Sequence, residues 1–379
     1  VTTIPFNKAT VEGREIELVR EAISNVHISG DGAFTKRASA MLESILGAPK
    51  VLLTTSCTHA LEMAAILLDF SPGDEVIVPA FTFVSGVNAF VLRGATPVFA
   101  DIRPDTLNID EIALERLITP RTKAIAPVHY AGVACDMDVI LDVATRHGID
   151  IVEDNAHGLF GRYRGRALGT FGRLATQSFH ETKNINCGEG GALVINDPAL
   201  IERAEVIREK GTNRSRFFRG QVDKYTWVDV GSSYLPSDML AAYLVGQIEK
   251  ADVIQSKRRR VWERYDAELT DWAASHGVRR PAVPEECEQP FHMYYVLFRT
   301  LEERTSMIDH LRAQDIFAVF HYLPLNTSEM GMRFGGRVGQ CPVAESMSDR
   351  LLRLPFYNNL TDDDQRRVIE AMHSWQPPR

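Results

Sequence analysis

Three stretches of this 379-residue chain hold side chains that do chemistry when they meet. Asp154 closes the run Ile149-Asp150-Ile151-Val152-Glu153, which places a carboxylate where a short β-branched strand ends. Lys183 lies in Ser178-Phe179-His180-Glu181-Thr182-Lys183-Asn184, just ahead of Gly188-Glu189-Gly190-Gly191. The third stretch, Thr54-Thr55-Ser56-Cys57-Thr58, is rich in hydroxyls and joins a strand to a helix start. Free amides, the positive end of a helix dipole and hydroxyl donors are what a phosphate group requires. Each stretch also has an ordinary reading: a carboxylate capping the next helix, a solvated loop lysine and a hydroxyl N-cap. Taken together they match pyridoxal phosphate. That cofactor needs a lysine for a Schiff base, a carboxylate to keep its ring nitrogen protonated, a phosphate cup and a flat side chain against the ring. The loop Ala80-Phe81-Thr82-Phe83 supplies the aromatic face, although either Phe also suits a core.

Such groups must be positioned by regular elements, and the pattern supplies them. Val51-Leu53, Glu75-Pro79, Pro97-Ala100, Ala124-Val128 and Asp150-Glu153 read as strands. Thr58-Leu68, Val84-Arg93, Ile109-Leu117 and Asp138-His147 carry apolar residues at helical spacing between them. Pro72-Gly73-Asp74 and Gly148 end helices, and Asn108 or Asp110 suits a helix start. This alternation predicts an α/β fold with a mainly parallel sheet covered on both faces, whose ligands sit at the carboxyl ends of the strands. Ala175-His180 and Ala192-Asn196 read as further strands, followed by a helix at Pro198-Lys210 and a long one from Ser237 to Leu269. After a Pro- and Glu-rich connector, Met293-Arg299 and Phe317-Tyr322 read as strands, and Arg304-Ala313 and Asp362-Trp375 as helices. The expected division is a large domain at 1–250 and a smaller α+β domain at 251–379, without internal repeats.

Composition narrows the function. With 45% apolar and 24% charged residues, the chain has the balance of a globular protein. A net charge of −8 disfavours a nucleic-acid partner, and no apolar run approaches the ~18 residues that span a bilayer. Val1-Thr2-Thr3-Ile4-Pro5 lacks the basic and apolar regions of a signal peptide, so a cytoplasmic setting is expected. The five scattered cysteines show neither a disulfide framework nor zinc-ligand spacing. No GxGxxG follows a strand and no GxxxxGK[ST] occurs, so dinucleotide and P-loop sites lack their fingerprints.

Over nearly its whole length the sequence resembles the sugar aminotransferases of the DegT/DnrJ/StrS type, fold-type I pyridoxal-phosphate enzymes. Within them, Ser178–Asn184, Pro127-Val128-His129-Tyr130-Ala131-Gly132 and Arg219-Gly220-Gln221-Val222-Asp223-Lys224-Tyr225-Thr226-Trp227 resemble the subgroup acting on dTDP-4-keto-6-deoxyglucose. The resemblance implies that Lys183 carries the cofactor and that Asp154 partners the ring nitrogen. It implies that His157 binds the phenolic oxygen, that Cys57, Thr58 and Ser178 form the phosphate cup, and that Phe83 stacks on the ring. In that family a neighbouring subunit donates a phosphate-binding Asn from a stretch like Gly231-Ser232-Ser233-Tyr234, where this chain has Ser233.

The implied assembly is a homodimer with shared active sites, and the implied reaction moves an amino group from L-glutamate to C4 of the dTDP-linked keto sugar. Pyridoxamine phosphate is the intermediate cofactor form, and 2-oxoglutarate and a dTDP-4-amino-4,6-dideoxyhexose are the products. Lys224, Tyr225 and Arg219, in a basic aromatic loop, are candidate nucleotide-sugar ligands, as are His321 and Tyr322, which equally suit packing. Glu189 either faces the sugar or caps the glycine turn. The alternatives are another keto-sugar nucleotide as substrate, or a non-catalytic regulatory member of the same fold. The related 3-dehydratases carry His where this chain has Lys183.

Overall fold

The computed structural model describes residues 2–378; Val1, the first residue of the stretch read above for a signal peptide, lies outside them. Seven strands form the central sheet: β1 Lys50–Thr54, β2 Glu75–Pro79, β3 Thr96–Ala100, β4 Thr122–Ile125, β5 Asp150–Asp154, β6 Leu174–Ser178 and β7 Gly191–Ile195. Their order is β1-β7-β6-β5-β4-β2-β3. Only β7 runs against its neighbours; β2 to β6 pair in parallel. β2, β6 and β7 are buried at every position, as strands covered on both faces must be.

Alternation along the strands decides which helix covers which face. Leu52, Val76, Val152, Leu174 and Leu193 pack with the helix Cys57–Leu67 and with Ala204 and Ile207. Val51, Leu53, Ala175 and Val194 point the other way, to the helices Glu15–Ser24, Ala33–Leu46 and Asp238–Ile248. Ile77, Ile125 and Ile151 meet the helix Met137–His147 on that second side. This last helix starts on the Asp136 carboxylate, which accepts from the Val139 N–H at 3.2 Å, and ends on Gly148 at φ 64°.

A second core lies in the C-terminal part, where Val261, Tyr265, Phe298, Met307, Leu352 and Trp375 pack around the antiparallel pair Tyr295–Leu297 and Leu351–Arg353. Ile4 joins this core, and its backbone N–H donates to Asp315 at 2.9 Å. The N-terminal segment therefore packs with the C-terminal unit.

Several expected elements come out differently. The pattern over 237–269 divides into Asp238–Ile248 and Ala251–Glu268, because the first is apolar on most sides and buried between layers while the second buries only one stripe. Ile109–Leu117 holds a 3₁₀ helix, Glu111–Leu117, started by Asp110; Asn108 instead goes to the interior, where its amide donates to Val133 and Ala134. Phe317–Tyr322 forms no strand beyond one bridge between Val319 and Arg353, since the chain turns there toward a cavity. The two N-terminal helices, Glu15–Ser24 and Ala33–Leu46, have no counterpart in the sequence reading.

Candidate active site

β5 and β6 run side by side and end together, with Asp154 opposite Thr176 and Ser178 at the next turn. Beyond β6 the chain makes a tight loop, in which the Lys183 N–H donates to His180 at 2.9 Å, and returns as β7. β7 begins at Gly191 against the start of the helix Cys57–Leu67; a Cβ on Gly191 would fall 2.3 Å from the backbone nitrogen of Cys57. Glycine alone permits that approach. Ser56 caps this helix, accepting from the His59 N–H at 3.1 Å, while the N–H groups of its first turn have no partners within the helix. Thr58 and Ser85 hydroxyls lie 2.8 Å apart beside them. Together these elements floor a cavity of ≈ 850 Å³, lined also by Val128, Met293, Phe320 and Tyr322.

Asp154 is buried and accepts one side-chain hydrogen bond, from the Ala156 N–H at 3.1 Å. No regular helix follows it, so capping does not account for it. Burial pushes its carboxyl above the usual range, outweighing the Ala156 N–H bond and the opposing pull of Lys183. The same burial lowers the Lys183 ammonium to about 8, with Cys57 and Asp154 pulling the other way. An amine so placed gives up its proton far more readily than an exposed lysine, which is what a nucleophilic amine requires.

Behind Asp154, Glu153 is wholly buried and accepts from the N–H groups of Gly169, Phe171 and Gly172 at 2.6–2.8 Å. His129 completes this shell. Its Nδ1 accepts from the Cys135 N–H at 3.2 Å, so the ring proton is on Nε2 and is donated to Glu153 at 3.0 Å. The end of β5 is thus held rigidly from behind.

His157 stacks on His292 with ring centroids 4.3 Å apart, and His292 is oriented by the Asn184 side-chain oxygen at 2.8 Å. Burial holds both imidazoles well below their ordinary pKa and therefore neutral. The Nδ1 of His157 is buried without a hydrogen-bond partner. His321 receives the Tyr130 hydroxyl at 2.9 Å and lies against Tyr322.

The structure brings Lys183, Asp154, His157, Cys57, Thr58, Ser178, Phe83, His321, Tyr322 and Glu189 to one cavity. Phe83 is 56% exposed on its wall while Phe81 is core. Cys57 lines the cavity, with its thiol 3.4 Å from the Thr176 hydroxyl. Arg219, Lys224, Tyr225 and Ser233 lie outside the cavity of their own chain, with Lys224, Tyr225 and Ser233 on an exposed segment. Reading the sequence missed Asn184, His292 and Arg353. Only Arg353 left a signal, as the single charge in Leu351-Leu352-Arg353-Leu354-Pro355-Phe356.

Each requirement of pyridoxal phosphate meets an unspent group here: a buried carboxylate for the ring nitrogen, a partnerless imidazole nitrogen for the phenolic oxygen, an open helix N-terminus for the phosphate and a lysine of lowered pKa for the aldehyde. Fold and site define a fold-type I transferase that uses pyridoxal phosphate.

Residues 10–373 match the DegT/DnrJ/EryC1/StrS aminotransferase family, and the chain belongs to it. It is 33% identical to the spore coat polysaccharide biosynthesis protein SpsC of Bacillus subtilis, covering 97% of this chain and 96% of that one. It is also 33% identical to the GDP-perosamine synthase of Caulobacter vibrioides, over 96% and 95% of the two chains. The fold superposes on Spr1654 of Streptococcus pneumoniae, solved in its PLP-bound form, with a TM-score of 0.90 at 28% identity and 98% coverage of each chain; its PMP-bound form matches equally closely. The protein is a pyridoxal-phosphate-dependent sugar aminotransferase.

Proposed function

We propose that the enzyme transfers an amino group from L-glutamate to C4 of dTDP-4-keto-6-deoxy-D-glucose, releasing 2-oxoglutarate and a dTDP-4-amino-4,6-dideoxyhexose. The observation that carries this reading is the placement of two of the subgroup-like sequence strings. Ser178–Asn184 and Pro127–Gly132 build the cavity floor and the Tyr130–His321 wall, rather than lying elsewhere in the fold.

When bound, the cofactor supplies an electron sink for the carbon that loses its proton. Asp154 holds a proton on the ring nitrogen, and Glu153 with His129 fixes the strand that presents it. His157 meets the phenolic oxygen, and Ser178, Thr58 and the Cys57 N–H hold the phosphate. Phe83 would cover the ring face, beside the buried apolar side chains of Val128 and Met293. Lys183 Nζ would take the proton released at the donor's α-carbon and, in the reverse direction, deliver one to C4 of the sugar.

The subunits pair, on this reading, so that the exposed segment bearing Arg219, Lys224, Tyr225 and Ser233 reaches the neighbouring site, the first three toward the nucleotide and Ser233 toward the cofactor phosphate. Tyr225 is 51% and Trp227 is 76% exposed in the single chain, which is the surface such a contact would cover. Glu189, on the cavity rim, faces the sugar. Five free cysteines fit a reducing, cytoplasmic setting.

The test is a pair of half-reactions. Glutamate should convert the visible cofactor band to the pyridoxamine form, and dTDP-4-keto-6-deoxyglucose should restore it. Restoration by a GDP-linked keto sugar instead would move the substrate toward the reaction named for the Caulobacter relative. A protein that takes up no cofactor would be the non-catalytic alternative.

A further inference from the structure

The His157 ring makes no side-chain hydrogen bond among the described residues, and its Nδ1 is buried without a partner. Contacts with other rings must therefore set how it stands. The tightest is with His292, at 4.3 Å between centroids and 19° between planes. His321 is near-parallel but farther, at 6.2 Å, and Tyr130 meets the ring edge-on at 6.0 Å. His292 is itself fixed from several sides. Its Nδ1 lies 2.8 Å from Asn184 Oδ1. The amide nitrogen of Asn184 is spent on the Pro290 carbonyl at 2.7 Å and on Gln255 Oε1 at 3.2 Å, so its oxygen faces His292 and the imidazole proton is on Nδ1. The His292 carbonyl accepts from Arg258 at 2.5 Å, and the Phe291 carbonyl accepts from the same guanidinium at 3.0 Å. Phe291 is held at φ 53°, a left-handed backbone that a bulky side chain rarely adopts. Burial, with the positive charge of Lys183, Arg258 and Arg353, keeps both stacked rings neutral. His321 and Tyr130, the other titratable groups in contact with His157, are neutral too.

We propose that Asn184 and His292 are positioning residues for His157, which hold its ring in the plane where its edge meets the cofactor's phenolic oxygen. The inference rests on the role proposed above for His157. An imidazole donates from its edge, so rotation about its second torsion removes the contact, and that torsion is broad in histidine. A stacked neighbour blocks the rotation and leaves both nitrogens of His157 free for the cofactor. The neighbour must then be immobile, which is what the Asn184 oxygen and the Arg258 clamp supply. The anchor also joins two parts of the site. Asn184 directly follows Lys183, while His292 lines the cavity from the C-terminal unit.

The test titrates the visible cofactor band of the holoenzyme with pH, in wild type and in variants first shown to hold the cofactor by their borohydride-fixed adduct. A hydrogen bond donated to the phenolic oxygen favours its anionic form and so lowers the pH at which the band changes. His157→Ala should therefore raise that midpoint by about one pH unit. His292→Ala should raise it nearly as far, because the released ring turns away. His292→Phe should stay near the wild-type midpoint, since a flat apolar ring keeps the stack and needs no acceptor. Asn184→Ala should give an intermediate shift, for it leaves a buried imidazole N–H unpaired, and should add nothing in a His292→Phe background. A pair that only supports the fold would lower the thermal midpoint without moving the band. That result in His292→Ala, with His157→Ala shifted, would overturn the proposal, as would an equal effect of Asn184→Ala in both backgrounds. No shift in His157→Ala would instead refute the contact proposed for His157 itself. Should His292→Ala fail to fold or to take up cofactor, Asn184→Ala in the two backgrounds decides the matter.

Discussion

Lys183 and Lys224 are both proposed for the active site, and their surroundings are opposite. Lys183 is enclosed at the end of β6, where burial brings its ammonium down to about 8 and Asp154 and His157 share its cavity. Lys224 sits on an exposed stretch whose arginines are already committed: Arg214 pairs with Glu209 at 3.1 Å, Arg219 with Glu205 at 2.8 Å and Arg216 with Glu202. Lys224 forms no ion pair among the described residues. One region is enclosed and tuned by exclusion of water; the other consists of exposed side chains that, on the reading proposed above, meet a second surface.

That contrast can be broken by substitution, beginning with the largest effect. Lys183→Ala should lower turnover by about 10⁵-fold or more and abolish the borohydride-fixed adduct, because attachment and proton transfer fall on one amine. Retention of a fixed adduct would move the lysine elsewhere. Asp154→Asn should keep the band but lose about 10⁴-fold in kcat, a magnitude borrowed from a mispaired orienting carboxylate in another enzyme; steady-state kinetics with the cofactor saturating would check it.

The lowered pKa of Lys183 predicts a pH effect on the cofactor-free protein. Below about 8 the folded state carries a buried ammonium that the unfolded chain solvates freely, and above the ordinary lysine value neither state is charged. Stability should therefore rise between pH 8 and the normal range near 10.5, by about 3 kcal/mol, and stay flat in this respect below 8. Denaturant midpoints of wild type and Lys183→Met across that window isolate the contribution; parallel curves would show that the amine is solvated. The smallest effect belongs to the exposed region. Lys224→Ala should raise KM for the nucleotide sugar about tenfold, or ~1.4 kcal/mol, and leave the glutamate half-reaction unchanged. Mixing it with Lys183→Ala should regenerate partial activity if sites are shared between subunits, and no recovery would place Lys224 outside the site.

Much of the platform was legible in the chain itself. Asp154 follows a β-branched run, so its place at a strand's carboxyl end follows from the period of two and the alternation with helices. Ser56 precedes an apolar helix, which makes it a cap by residue type. The far wall was not legible in the same way. His292 and Asn184 are ordinary residues in isolation, and their contact depends on the C-terminal unit docking over the sheet. The division of 237–269 was hidden for a related reason: apolar spacing continues across Glu249 and Lys250, while the direction of the chain is set by the two layers it packs between.

By itself the sequence determined the strand and helix alternation and the carboxylate and lysine at or just past strand ends. These are local matters, governed by side-chain period, capping and backbone freedom over a few residues. Only the tertiary structure decided that Asp154 and Lys183 share one low-dielectric cavity, which shifts both groups. It also decided that His292 and Arg353 reach that cavity from the C-terminal unit. Those outcomes depend on exclusion of water by segments far apart in the chain, and no local pattern encodes a shared interior.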